Sequence, residues 1–130
     1  MSDRKEVSTG GAPAAIGPYS QAVIAGGFVF VSGQIPLDPA TGALVASGAG
    51  AQAERARVSL QAVLEAAGSG LHRVVKTTVF LTDLADFPEV NGVYARFFPR
   101  EPPARATVQV AALPRGAAIE IEAVALAGAG

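Results

Sequence analysis

The sequence has no cysteine, no tryptophan and a single histidine, His72, in 130 residues. The missing cysteine excludes a disulfide, a thiolate nucleophile and a cysteine-bound zinc. One histidine excludes a His–His acid–base pair and a multi-histidine metal site within one chain. Charge is also scarce: 10 Lys and Arg stand against 11 Asp and Glu, for a formal net charge of -1. A chain that works on nucleic-acid phosphates should be clearly basic, so no nucleic-acid partner is expected. No apolar run approaches the ~18 residues of a membrane helix. The opening MSDRKEVSTGG lacks the apolar stretch of a secretory signal. The expectation is a soluble, cytoplasmic protein with no membrane partner.

What is present is apolar. Hydrophobic residues make up 50% of the chain, which excludes disorder, since disorder needs low hydrophobicity and high net charge. The length suits one domain over residues 1–130. Alanine is the strongest bias; it fits tight packing or a compositional habit of the source, and carries no function by itself.

Residues 1–15 are polar, then rich in Ala and Pro, and read as an irregular N-terminal arm. Ile16-Gly17-Pro18-Tyr19 is a turn into a first strand at 20–25. Gly26-Gly27 signals a two-residue hairpin. The following Phe28-Val29-Phe30-Val31 is apolar on both faces, so both faces need cover. Helices can cover one, and a partner subunit is a candidate for the other. From about 50 to 67, apolar residues recur at steps of 3 and 4 and predict a helix, which Gly68 ends in a left-handed conformation. Residues 74–81, VVKTTVFL, are rich in β-branched side chains and predict a strand. A second helix is expected over 86–98, with Asp86 as N-cap and Phe87, Val90, Tyr94, Phe97 and Phe98 as its apolar stripe. Residues 104–110 and 118–126 alternate as strands. The order β-β-α-β-α-β-β predicts an α+β domain with two helices on one face of a mixed sheet.

The last two strands have a short connection, which predicts hairpin neighbours. Their polar faces would then set Arg105 against Glu120 and Glu122. One reading is a cross-strand salt bridge, worth under about 1 kcal/mol if exposed. The other is a site in which a planar guanidinium fork takes a carboxylate. Elsewhere, Lys76 reads as a solvated strand charge, His72 as an exposed loop residue, and Glu122 as a salt-bridge or interface residue.

Five segments in order resemble one family. They are Ala15-Ile16-Gly17-Pro18-Tyr19-Ser20-Gln21-Ala22; Val31-Ser32-Gly33-Gln34-Ile35-Pro36; Val75 to Leu84 (VKTTVFLTDL); Pro103-Ala104-Arg105; and Ile119-Glu120-Ile121-Glu122-Ala123, with Asn91 in the second helix. The chain is similar, from about residue 14 to 125, to the Rid family of reactive intermediate deaminases, also called YjgF-like or L-PSP proteins. The resemblance implies a chorismate-mutase-like fold and a homotrimer with clefts between subunits. It implies hydrolysis of reactive 2-imino acids and enamines, such as 2-iminopropanoate from 2-aminoacrylate, to 2-keto acids and ammonia, without a cofactor. Carried onto this sequence, Arg105 clamps the substrate carboxylate, Glu120 holds or activates water, and Tyr19 closes the pocket and relays a proton. Ser32, Gly33, Asn91 and Thr107 complete the expected substrate-binding set. Some members carry cysteine where this chain has Thr107, which removes thiol chemistry but leaves a backbone role. The loop over 99–103 looks shorter than in some members. Two other readings stand beside the deaminase: a non-catalytic small-metabolite-binding or regulatory trimer, and an endoribonuclease or translation inhibitor. The second lacks a His pair, an acidic metal cluster and a basic, aromatic-interleaved patch.

Overall fold

The computed structural model describes residues 3–128. Six strands form one sheet: β1 (Arg4–Val7), β2 (Ala22–Ala25), β3 (Phe28–Gln34), β4 (Val74–Leu81), β5 (Ala104–Gln109) and β6 (Ile119–Leu126). Two helices, α1 (Ala49–Ala66) and α2 (Phe87–Phe97), complete the fold. The strand order is β1-β2-β3-β6-β4-β5. Only β4 and β5 run parallel, as α2 between them requires; every other neighbouring pair is antiparallel. The α+β architecture, the mixed sheet and the two-helix layer are as the sequence implies.

Local chemistry accounts for most boundaries. Gly26 and Gly27 both take positive φ, the requirement of the tight turn joining β2 to β3. Gly68 has φ 77, its N–H reaches the Glu65 carbonyl, and the Ser69 N–H reaches the Leu64 carbonyl at 2.8 Å. These two bonds close α1 as a Schellman motif. The sheet-facing stripe of α1 carries Ala53, Ala56, Leu60, Val63 and Leu64, all fully buried. They meet Val29 and Val31 of β3, Ile119, Ile121 and Ala125 of β6, and the inner side of α2. Burying each of the larger side chains contributes about 1.5–3 kcal/mol.

Three expectations need correction. Residues 4–7 are not irregular: they form edge strand β1, with Arg4 opposite Ala25 and Val7 opposite Ala22. Their RKEV sequence hides this, because a charged edge strand needs no apolar alternation and only Val7 is buried. Asp86 does not cap α2 with its side chain. Asp83 accepts the Ala85 N–H at 2.9 Å instead and starts a 3-10 turn, Leu84–Asp86, that leads into the helix.

The third correction concerns the last two strands. β5 and β6 are not hairpin neighbours, because β4 lies between them. Their short connection is still consistent with this arrangement. Leu81, at the end of β4, is opposite Gln109 on one side and Ile119 on the other. The connection therefore passes over the end of one strand, about two interstrand spacings of ~4.8 Å.

Both helices pack on one face of the sheet. The other face carries Phe28 and Phe30, which are 39% and 48% exposed, with Val108 and Leu126 also exposed. In the single chain β3 is thus covered on one side only, through Val29 and Val31. Among the described residues, no helix is long and apolar enough to cross a membrane.

Candidate functional site

The expected site residues fall into two groups, one on each face of the sheet. Cross-strand register decides which. Arg105 is opposite Thr77, which is buried and shares a 2.7 Å hydrogen bond with the Tyr94 hydroxyl of α2, so Arg105 lies on the helix side. Glu120 is opposite Phe80, one step out of phase with the buried Ile119 and Ile121, so it lies on the open side. The direct Arg105–Glu120 pairing expected from a hairpin is not formed. Neither carboxylate on β6 bridges to Arg105, because a whole strand and the thickness of the sheet separate them.

On the helix side, Arg105 is held by α2. Its Nη1 donates to Asn91 Oδ1 at 2.8 Å. Its guanidinium carbon stands 4.7 Å from the Tyr94 ring centre and 5.3 Å from that of Phe87. Cation–π contacts at exposed sites are worth about 0.5–1 kcal/mol each, and here they set the plane of the fork. Burial pushes the Tyr94 hydroxyl up from its usual range, against the opposing effects of the Thr77 hydrogen bond and the Arg105 charge. Tyr94 therefore stays a neutral phenol beneath the cation. Among the described residues, no other group accepts a hydrogen bond from the Arg105 guanidinium. Its remaining donors face a cavity of about 420 Å3 that Phe98, Pro102 and Pro103 help to line. An oriented, exposed guanidinium of this kind suits a carboxylate. Two residues along β5 on the same side, the Thr107 hydroxyl is buried without a hydrogen-bond partner.

On the open side, β3 breaks register between Val31 and Gln34, and Gly33 sits in that irregularity. The Glu120 side chain lies against it: a Cβ at Gly33 would be 2.7 Å from the Glu120 carboxyl carbon. Half-buried there, Glu120 has its pKa raised, mainly by desolvation and further by the Glu122 charge. Ser32 acts on the chain itself. Its hydroxyl donates to the Ser20 carbonyl at 2.6 Å and its N–H to the Gln21 carbonyl at 3.0 Å. Tyr19 is 54% exposed on the preceding loop and lines one cavity with Gly33 and another with Ser32.

The structure thus brings Arg105 to Asn91, with Thr107 on the same strand face, and Glu120 to Gly33, with Ser32 and Tyr19 nearby. It does not bring the two groups together within one chain. His72 and Lys76 are exposed, as expected. The apolar stripe of the second helix places Phe87 and Tyr94 in the core alone, yet they form the bed of Arg105. Phe87, Asn91 and Tyr94 are spaced by 4 and 3, so one helical face carries all three, and that spacing was the available signal. Among the described residues, no group of three His, Asp or Glu gathers in a way that could hold a metal ion.

Fold and site together define a class: a small α+β domain with an oriented arginine on one sheet face and a desolvated glutamate on the other. Residues 9–127 match the family described as Endoribonuclease L-PSP. The chain is 58% identical over 125 residues to Protein DfrA of Myxococcus xanthus, covering 95% of each. It is 50% identical over 125 residues to the human 2-iminobutanoate/2-iminopropanoate deaminase, covering 96% of this chain and 91% of that relative. The crystal structure of YyfA, of the Rid protein family in Yersinia pestis, superimposes with a TM-score of 0.92 at 44% identity, over 95% of this chain and 98% of that one. The chain belongs to the L-PSP family, the Rid proteins.

Proposed function

We propose that this protein hydrolyses reactive 2-imino acids to 2-keto acids and ammonia, as a homotrimer whose sites lie between copies. The separation of Arg105 from Glu120 across the sheet carries this reading. Each chain holds a carboxylate clamp and a water-activating carboxylate that cannot serve one small substrate together. A neighbouring copy supplies the missing half. The exposed Phe28 and Phe30 support such packing, since large apolar side chains on an open sheet face call for cover. A relative named 2-iminobutanoate/2-iminopropanoate deaminase supports the chemistry.

The substrate carboxylate accepts paired hydrogen bonds from Arg105, oriented by Asn91 and Tyr94. This fixes the imine carbon, a positioning contribution. Glu120 from the adjoining copy takes a proton from water as the water oxygen bonds to that carbon. Its raised pKa makes it a stronger base than an ordinary carboxylate, closer to the poise that general catalysis favours. The proton passes to the nitrogen, with Tyr19 as relay; the hydroxyl of the tetrahedral adduct then gives up its own proton, through Glu120, to the nitrogen as the C=O bond forms and the C–N bond breaks. One water is consumed, one ammonia leaves, and a 2-keto acid remains. Backbone groups at Gly33 and Thr107 are the proposed further contacts.

The test is to generate 2-iminopropanoate with an amino-acid oxidase and follow its decay with and without the protein. Acceleration is expected, abolished in Arg105→Ala and reduced about 10²-fold or more in Glu120→Ala. Unchanged decay on several imino acids, with ligand binding that needs Arg105 alone, would favour the non-catalytic metabolite-binding trimer. The family's description raises the endoribonuclease reading. RNA cleavage that tracks the purified protein is its test, and the near-neutral charge gives it no support.

A further inference from the structure

Beside Gly33 lies a cavity of about 280 Å3 whose walls are mostly apolar, with Pro13, Ile16, Ile35, Leu37 and Pro114 among them. Water occupies about 30 Å3 per molecule, so this space is several times what the single methyl of 2-iminopropanoate needs. Gly33 borders both this cavity and Glu120. In the proposed reaction, a substrate attacked by water at Glu120 therefore lies next to Gly33, which the cavity shares.

Two features make the cavity a selecting surface rather than a gap. Ile16, 83% exposed, brings a branched apolar side chain to its wall. The loop that carries it is tied at both ends. The buried Gln21 amide accepts the Thr9 N–H at 2.6 Å and donates to the Thr9 carbonyl at 3.1 Å and the Pro13 carbonyl at 2.9 Å. At the other end Ser32 holds the Ser20 and Gln21 carbonyls. A wall fixed in this way exists before the ligand arrives, so little ordering is lost on binding. The one charged residue on the wall, Arg115, already donates to the Gly42 carbonyl at 3.1 Å.

We propose that this cavity receives the substrate side chain and that Ile16 determines specificity, favouring 2-imino acids with branched or longer apolar side chains. The inference rests on the deaminase reading. An added methylene in an apolar pocket is worth about 10–200-fold in kcat/KM, so a preference of about tenfold or more is expected for the leucine-derived imino acid over the alanine-derived one.

The experiment compares kcat/KM for imino acids generated from alanine, leucine and glutamate. It is paired with calorimetric binding of the matching keto acids, 4-methyl-2-oxopentanoate and pyruvate. The leucine-to-alanine ratio should fall in Ile16→Ala and return in Ile16→Leu, and 4-methyl-2-oxopentanoate should bind more tightly than pyruvate. Deamination without side-chain preference, a preference for the glutamate-derived substrate, or a ratio that Ile16→Ala leaves unchanged would overturn the assignment while the deaminase reading stands. If no imino acid decays faster, the deaminase reading fails. The keto-acid pair then still decides the cavity: equal binding overturns its assignment as a side-chain subsite, and tighter binding of the larger acid upholds it.

Discussion

Glu120 occupies the space that a side chain at Gly33 would take. Gly33 is not among the residues with positive φ, so its backbone does not demand glycine. Room for the carboxylate does. In Gly33→Ala the new methyl displaces the end of a flexible side chain, at little cost to the fold. The expected result is a melting temperature close to wild type with kcat lowered about 10²-fold, the scale of a misplaced general base. Stopped-flow decay of 2-iminopropanoate together with a thermal melt checks both halves.

The charge of Glu122 helps to raise the Glu120 pKa. If Glu120 acts as the carboxylate, activity falls as the pH drops through that raised pKa. Glu122→Gln removes the like charge and should move this acid limb to lower pH, leaving the limb above the usual carboxylate range because desolvation remains. The stability sign is opposite to that of a salt-bridged acid: a folded pKa above the unfolded one favours the fold at low pH, and that contribution is lost as pH rises through the folded value. Glu120→Gln should therefore be no less stable than wild type at neutral pH.

The Thr107 hydroxyl is buried with no partner in the chain. An unsatisfied buried hydroxyl costs about 1–3 kcal/mol, so Thr107→Val, of nearly equal shape, should melt at the same temperature or higher. With only the backbone of residue 107 at work, kcat/KM stays within about twofold. A KM raised tenfold would show instead that the hydroxyl reaches the substrate.

Phe28 and Phe30 stand side by side on the open face with ring centres 6.3 Å apart. Placing a charge there should cost the isolated chain little, since both rings already meet solvent. Phe30→Glu is expected to retain the circular dichroism of the fold, to lose the trimer mass by light scattering, and to lose deaminase activity with it. A monomeric yet fully active variant would rule out a site shared between copies.

Much of the fold was legible because it is written in local patterns. The Gly26-Gly27 turn, the stripe of α1 with its Gly68 stop, and the β-branched run of β4 each depend on residues within a few positions of one another. Strand β1 was not legible: its pairing with β2 is a backbone event that its RKEV side chains do not announce. The chain's own residues also determined that no thiol or multi-histidine chemistry was open to it, and they singled out Arg105 and Glu120. Tertiary structure alone decided how these two stand. Inserting β4 between β5 and β6 is a long-range choice, made because a parallel β4–β5 pair brings the end of β5 level with the start of β6. That choice turned an apparent facing pair into two residues on opposite sides of a sheet. Alternation along a strand reports which residues share its face, but which strand lies next to it depends on pairing between distant segments.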